Sequence, residues 1–320
     1  MTSSRDEEKS CLVLGGCGFL GSVVARRLVA AGWHVRVFDK EGVDTWRLQS
    51  VLPAIDLQYG DFMNSGDLAR ALDGVRTVLH FIGTTIPQTS MNDIHFDIES
   101  NVLTTVRLLE QMASRKNQRL IFSSSGGTVY GVPNQRRPLC ESDPTEPIAA
   151  YGISKLMIEK IIQLFAHNYG VSATILRIAN PYGESQHPLR PQGAVGVFLH
   201  KAMHDEEICI WGDGSVVRDY IYEADLASAV ESLLARPDIN GIFNVGTGVG
   251  TSLNQVVEVI RTATRRECRV TYDASRSFDV PYNVLNCDKL RDATGWSPAY
   301  TLSGGVQQLL TALQNRGHHQ

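Results

Sequence analysis

Short apolar runs alternate with longer amphipathic stretches through the first half of the chain. Ser10–Leu14 is mostly apolar and ends at a cluster of glycines, and Leu20–Ala31 then repeats apolar residues at helical spacing. His34–Asp39 alternates apolar and polar side chains as a half-buried strand does, and Ile55–Tyr59 and Arg76–Ile82 read as two further strands. Over Ile94–Ser114 the residues Ile98, Val102, Val106 and Leu109 fall near one helical face. Arg119–Ser123 is a strand of the fully buried kind, Ala149–Tyr169 a long helix, and Ala173–Ile178 the strand after it. Strands separated by helices of this length are βαβ units. The pattern predicts an α/β fold on a doubly wound parallel sheet.

Beyond about residue 180 the alternation breaks. Pro181, Gly183, Pro188, Pro191, Gly193 and Gly196 crowd one stretch, which marks the start of a smaller, mixed α/β region. The division expected is 1–180 for the first domain and 181–320 for the second, with about 220–245 returning to the first. Composition changes little in this picture. Of 320 residues, 43% are hydrophobic and 20% charged, the balance of an ordinary globular protein. Thirty basic and 34 acidic residues give a net charge of −4, which argues against nucleic acid as a partner. The first ten residues lack a signal peptide's apolar core, and no run reaches the ~18 apolar residues of a membrane span. The expectation is a cytoplasmic protein off the membrane. Its six cysteines are scattered without metal-ligand spacing, so reduced thiols and no metal are expected.

The chemistry begins at the first turn. Gly15, Gly18 and Gly21 give G-x-x-G-x-x-G between a strand and a helix, where glycine permits a tight turn and close approach of a pyrophosphate. The helix start offers free N–H groups to phosphates. Asp39 follows 18 residues after Gly21, at the end of the second strand, where a carboxylate binds a ribose diol and repels a 2′-phosphate. That favours NAD over NADP; a turn role is the plain alternative. Asp61 after the third strand is placed to meet the adenine amino group. Phe81, Ile82 and Gly83 end the fourth strand beside the expected crevice, whereas His80 reads as a packed core histidine.

Tyr151 and Lys155 stand four apart at the start of the long helix and so share a face. A phenol of pKa near ~10 is a poor base at neutral pH. An adjacent ammonium, with an oxidised nicotinamide, would stabilise the phenolate. The strand before it runs into Ser123, Ser124 and Ser125; a hydroxyl here would bond the substrate oxygen being oxidised, and small size for the sake of space is the plain alternative for some of them.

Together GGCGFLG, IFSSSGGTVYG, YGISK, RIANPYG, WGDGSVVRDYIYEAD, NVGTG and GWSP resemble the NAD-dependent epimerase/dehydratase family of extended short-chain dehydrogenase/reductases, in particular its UDP-glucose 4-epimerase group. The resemblance covers nearly the whole chain. It implies a Rossmann-type first domain and a smaller sugar-nucleotide domain. It implies Tyr151 as acid/base and Lys155 as its electrostatic partner and a ribose ligand. The cofactor set expected is Gly15, Gly18, Phe19, Leu20, Asp39, Lys40, Asp61, Phe62, Phe81, Ile82, Gly83, Asn101, Tyr151, Lys155 and Tyr182. The substrate set expected is Thr85, Ser125, Thr128, Tyr151, Asn180, Val195, Arg218 and Asn283, with Arg218 on the diphosphate and Asn283 gating an N-acetyl group.

One departure stands out. Counted back from Thr128-Val129-Tyr130-Gly131, the family's catalytic hydroxyl falls on Gly126, so Ser125 is taken as its replacement, with Ser124 and Thr128 as alternatives. The positions where related 4,6-dehydratases carry an Asp-Glu pair are Gly127 and Thr128, which disfavours elimination of water. The reading is therefore 4-epimerisation of a UDP-hexose, its N-acetyl or uronic acid forms included, with Arg190 a candidate for a uronate carboxylate. A keto-sugar-nucleotide reductase and a non-catalytic dinucleotide sensor are the alternatives. The family commonly forms homodimers through the helices Ile94–Ser114 and Ala149–Tyr169.

Overall fold

The computed structural model describes residues 9–317 apart from 87–88, 116, 188–192 and 276–279. β1 (Ser10–Leu14) sends Cys11 and Val13 into one apolar cluster and Leu12 and Leu14 into another. That is the period of two of a strand, with both faces covered as in a central parallel strand. The glycine turn leads into α1 (Phe19–Ala30), followed by β2 (His34–Asp39), β3 (Ile55–Tyr59), α2 (Ser65–Ala71) and β4 (Thr77–His80). Next come α3 (Ile94–Asp97), a π-helical segment Ile98–Leu103, and α4 (Thr104–Ser114). β5 (Arg119–Ser125) ends in a short α5 (Gly126–Val129), and α6 (Ala150–Tyr169) precedes β6 (Ser172–Ile178).

The second half holds β7 (Asn180–Tyr182), α7 (Ala194–Met203), β8 (Ile208–Trp211), β9 (Val217–Tyr222), α8 (Glu223–Leu234) and β10 (Gly241–Val245). β11 (Gly250–Ser252), α9 (Leu253–Thr264), β12 (Val270–Asp273), β13 (Tyr282–Asn283), α10 (Asp288–Thr294) and α11 (Leu302–Gly317) complete it. The main sheet has seven strands in the order β10-β6-β5-β4-β1-β2-β3. Every pair in it is parallel. The order reverses between β1 and β4, which opens a crevice at the carboxyl ends of those strands. β10 returns to this sheet beside β6, whereas β9 belongs to the smaller sheet with β7, β11 and β13. A third apolar cluster, with Tyr182, Phe198, Leu199, Tyr222 and Ile260, is the core of that smaller lobe.

Two elements differ from the sequence pattern. The strand expected over Arg76–Ile82 pairs only over Thr77–His80, leaving Phe81–Gly83 free to shape the crevice. The helix expected over Ile94–Ser114 is interrupted by its π-helical turn, and hydroxyls serve its carbonyls. Thr104 Oγ1 donates to Ser100 O and Thr105 Oγ1 to Asn101 O, each at 2.6 Å. Hydrophobic periodicity does not reveal this, because the inward positions Thr104 and Thr105 carry hydroxyls, while Ile98 and Val106 of the apolar stripe are only half-buried.

Candidate active site

The glycine turn closes against the fourth strand. Gly15 has φ +77°, and a Cβ there would lie 3.0 Å from the Ile82 backbone nitrogen. A Cβ on Gly21 would lie 2.3 Å from Gly15 O, so α1 starts hard against the turn because that residue has no side chain. Gly18 stands at the N-cap of α1, whose first N–H groups have no helical partners. Phe19 and Leu20 are its first residues. The carboxylate of Asp39 accepts from Cys17 N and Lys40 N, both at 2.9 Å, which holds it at the end of β2 facing the turn. Asp61, exposed after β3, accepts from Met63 N at 2.8 Å. This cradle, whose tight closure depends on the bare backbone at Gly15 and Gly21, fits a dinucleotide: the turn for the pyrophosphate, Asp39 for a ribose, Asp61 and Lys40 at the outer rim.

Phe62 does not join that rim. Its buried ring packs at 5.2 Å on His80, whose own burial pushes its pKa down to about 3, with the Lys155 charge as the lesser cause. His80 is therefore a neutral core residue, bonded to Thr105 Oγ1 at 3.1 Å. Asn101 ties down the loop after β4: it accepts from Thr84 N at 3.1 Å and donates to Thr84 Oγ1 at 2.7 Å. Phe81, Ile82 and Gly83 lie between, half-buried or exposed at the crevice.

Tyr151 and Lys155 come to the carboxyl end of β5 in the first turns of α6. Lys155 Nζ donates to Ser123 O at 2.8 Å and lies 4.8 Å above the Phe122 ring and 5.7 Å from the Tyr151 ring centroid. Burial lowers the Lys155 pKa to about 8, against the opposing pull of Asp97 and Glu159. Burial, and next the Asp97 charge, push Tyr151 up to about 12. The lowered phenol expected from the sequence is not met in the protein alone, because desolvation and the Asp97 charge both penalise the phenolate.

The loop after β5 explains its own departure from the family. A Cβ on Gly126 would meet Leu285 Cδ1 at 2.6 Å and Arg177 O at 3.0 Å, so a hydroxyl-bearing residue there would have to displace the buried Leu285 side chain. Ser124 is turned away from the site: its hydroxyl donates to Glu159 Oε1 at 2.5 Å. Ser125 is half-buried at the strand end, on the side of Gly127 and Asn180. Thr128 Oγ1 is buried without a hydrogen-bond partner. Its backbone lies against Gly152, where a Cβ would come within 3.0 Å of Thr128 O.

The remaining substrate candidates divide. Asn180 donates to Asp219 O at 3.0 Å, with its side-chain oxygen toward Gly127. Arg218, half-buried on β9, donates to Val217 O at 3.0 Å and Val280 O at 2.5 Å. Asn283 is fully buried and donates to Gly126 O at 2.9 Å, leaving its Oδ1 without a partner. Thr85 is buried, its hydroxyl given to Asp97. Tyr182 and Val195 place their side chains in the smaller core, and Tyr182 OH reaches Leu302 O at 3.3 Å. Only their backbones remain for a ligand, because short β7 and the first turn of α7 point these apolar groups inward. Arg190 lies outside the described residues.

Sequence reasoning missed the buried charges around the pair. Glu159 is bound by Arg177 through Nη2 at 2.7 Å and Nε at 3.1 Å, and both side chains are almost wholly buried. Asp97, with no exposed surface, accepts from Thr85, Asn101 and Ser154. Ser90 Oγ accepts from Tyr151 N at 3.0 Å and holds the start of α6. Arg177 sat in a quoted motif, but nothing in the spacing marked Asp97 or Glu159 as inward-facing.

Residues 11–246 match the NAD-dependent epimerase/dehydratase family. A putative UDP-glucose 4-epimerase of Methanocaldococcus jannaschii is 32% identical over 306 residues, covering 95% of this chain and 98% of the relative. A dTDP-4-dehydro-6-deoxyglucose reductase of Escherichia coli is 28% identical, covering 95% and 97%. The structure of a UDP-glucose 4-epimerase from Thermotoga maritima with UDP-glucose superposes with a TM-score of 0.89 at 29% identity, covering 96% of this chain and 99% of that one. With its glycine cradle, its Tyr151/Lys155 pair and these likenesses, the chain belongs to the NAD-dependent epimerase/dehydratase family.

Proposed function

We propose that this protein is an NAD-dependent nucleotide-sugar epimerase that inverts carbon 4 of a UDP-hexose. One observation carries the choice of reaction. The loop facing Tyr151 is Ser125-Gly126-Gly127-Thr128, so Gly127 and Thr128 stand where the dehydratases carry their Asp-Glu pair and no carboxylate is present to eliminate water. The epimerases among the relatives supply the substrate class.

Bound NAD supplies the acceptor and donor of hydride. The chain's residues handle the proton and the orientation. Tyr151 takes the proton of the sugar's 4-hydroxyl as that carbon is oxidised, and returns it after the 4-keto sugar has presented its other face. Lys155, fixed by Ser123 O, places a positive charge beside the phenolate. Ser125 bonds the same sugar oxygen. Arg218 meets the diphosphate, a task suited to a guanidinium. Asp39 favours NAD over its 2′-phosphorylated form. Asn283, whose amide is tied to Gly126 O, is the residue assigned to admitting an N-acetyl group.

Tyr151→Phe should lower turnover by about 10²–10⁴-fold, the usual worth of a positioned acid/base. NAD binding, followed by nicotinamide fluorescence or calorimetry, should remain. Normal turnover in that variant would remove the assignment.

The working form is proposed to be a homodimer. Ile153, Met157 and Leu164 lie exposed on one stripe of α6, and Phe96 and Leu103 are exposed on the neighbouring helical segment. An apolar stripe of this kind on paired helices suits a four-helix contact between two copies.

A further inference from the structure

Lys155 is a cation with 7% of its surface exposed, and its immediate partners do not neutralise it. Ser123 O accepts from it, and Phe122 and Tyr151 offer ring faces. Glu159, one turn along α6, is held by Arg177 through two nitrogens, so that pair balances itself. His80 at the end of β4 is neutral, its pKa pushed down to about 3 by burial. Asp97, at the end of α3, remains.

Asp97 is fully buried, and its donors are all neutral: Thr85 Oγ1, Asn101 Nδ2 at 3.1 Å and Ser154 Oγ. Among the described residues no lysine or arginine forms an ion pair with it. A buried carboxylate without a cation is strongly disfavoured unless a charge farther off compensates it. Ser154, which bonds it, immediately precedes Lys155. The π-helical segment that begins at Ile98 follows directly, and such turns recur where a helix must aim a functional side chain.

We propose that Asp97 is a positioning residue acting through Lys155: it is the counter-charge that keeps this buried lysine an ammonium while Tyr151 ionises, held in place by Thr85, Asn101 and Ser154. The inference rests on the Tyr151/Lys155 reading above. Burial already brings Lys155 to about 8, and Asp97 is the first of the two groups that oppose it. Without that charge the ammonium is lost at lower pH, and support for the phenolate goes with it. The same charge raises Tyr151, so removing it moves both edges of the pH–activity profile toward acid.

The test is an NMR titration of the full-length protein labelled with ¹³Cε-lysine, the Lys155 signal assigned by its loss in Lys155→Met. The midpoint expected is near 8 in the unsubstituted protein. In Asp97→Asn it should fall by about one unit, the shift one nearby charge commonly causes. The alkaline edge of kcat/KM should fall with it. Ser154→Ala removes a strut but keeps the charge, so its Lys155 midpoint should stay in place. An unmoved midpoint in Asp97→Asn, or an equal shift in Ser154→Ala, overturns the proposal. Should Asp97→Asn fail to fold, Asp97→Glu keeps the charge and displaces it by one methylene: the Lys155 midpoint and the alkaline edge of kcat/KM should both hold. A shifted midpoint or a lowered alkaline edge there overturns it equally. Active Tyr151→Phe would instead sink the underlying reading and leave the lysine titration standing.

Discussion

A single missing methylene decides what the loop after β5 can do. At Gly126 a Cβ would press on Leu285 Cδ1 and Arg177 O at 2.6 and 3.0 Å, both in packed surroundings that give little. Gly126→Ala should therefore cost about 1–3 kcal/mol of stability, the usual penalty of overpacking, read as a lowered midpoint in urea. Ser125→Ala should do the reverse. It leaves the denaturation midpoint unchanged but lowers kcat about tenfold or more, the worth of a hydrogen bond to a charged group at about 1.5–3 kcal/mol. An unaltered kcat would pass the role to Thr128, whose hydroxyl is buried and unpartnered. The sequence motif alone placed the departure at Gly126 and took Ser125 as the replacement, with Ser124 and Thr128 as alternatives. The contact of Ser124 with Glu159, which pairs residues 35 apart, removes Ser124 from that set.

At the scale of elements, α6 serves two purposes on two faces. One face carries Lys155, Ile158, Glu159 and Ile162 into the sheet; the other shows Ile153, Met157 and Leu164. The exposed stripe predicts self-association. Ile153→Glu combined with Leu164→Glu should halve the mass measured by light scattering while the far-ultraviolet circular dichroism stays unchanged; a full-mass double variant would refute this interface. This helix and the parallel sheet were legible in the sequence because apolar periods of 2.0 and 3.6 report burial directly. The π-helical turn after Asp97 was not, since the hydroxyls of Thr104 and Thr105 that satisfy it look like ordinary helix residues. Likewise Tyr182 and Val195 belong to functional motifs, yet their side chains pack the smaller lobe. A motif marks where a chain passes a ligand without saying which atoms face it.

Across the whole molecule, the two halves are pinned beside the glycine turn. Glu223, at the start of α8, accepts from Ser185 N at 2.9 Å and Ser185 Oγ at 2.7 Å, with Arg26 of α1 at 3.6 Å. The glycine of the Asn180–Gly183 motif is explained here, since a Cβ on Gly183 would sit 2.2 Å from Glu223 Oε2. Burial raises the Glu223 pKa from 4.5 to about 7, outweighing its hydrogen bonds. Between those values the folded state binds more protons than the unfolded, so stability from this group falls as pH climbs from about 4.5 to about 7. In Glu223→Gln that decline should vanish, as chemical denaturation at intervals across the range would read. A variant with the same slope as the unsubstituted protein would contradict the assignment. Among the described residues no helix is long and apolar enough to cross a membrane.

The central claim is that Tyr151 and Lys155 move a proton for a hydride that leaves and returns within one turnover. Proton NMR of UDP-glucose and UDP-galactose incubated separately with the purified protein, with nicotinamide absorbance followed alongside, tests this most directly. Each sugar should be converted toward the same mixture of both, with no net change in absorbance. Stoichiometric oxidation or reduction of the nicotinamide, or no interconversion of any UDP-hexose while NAD remains bound, would contradict it.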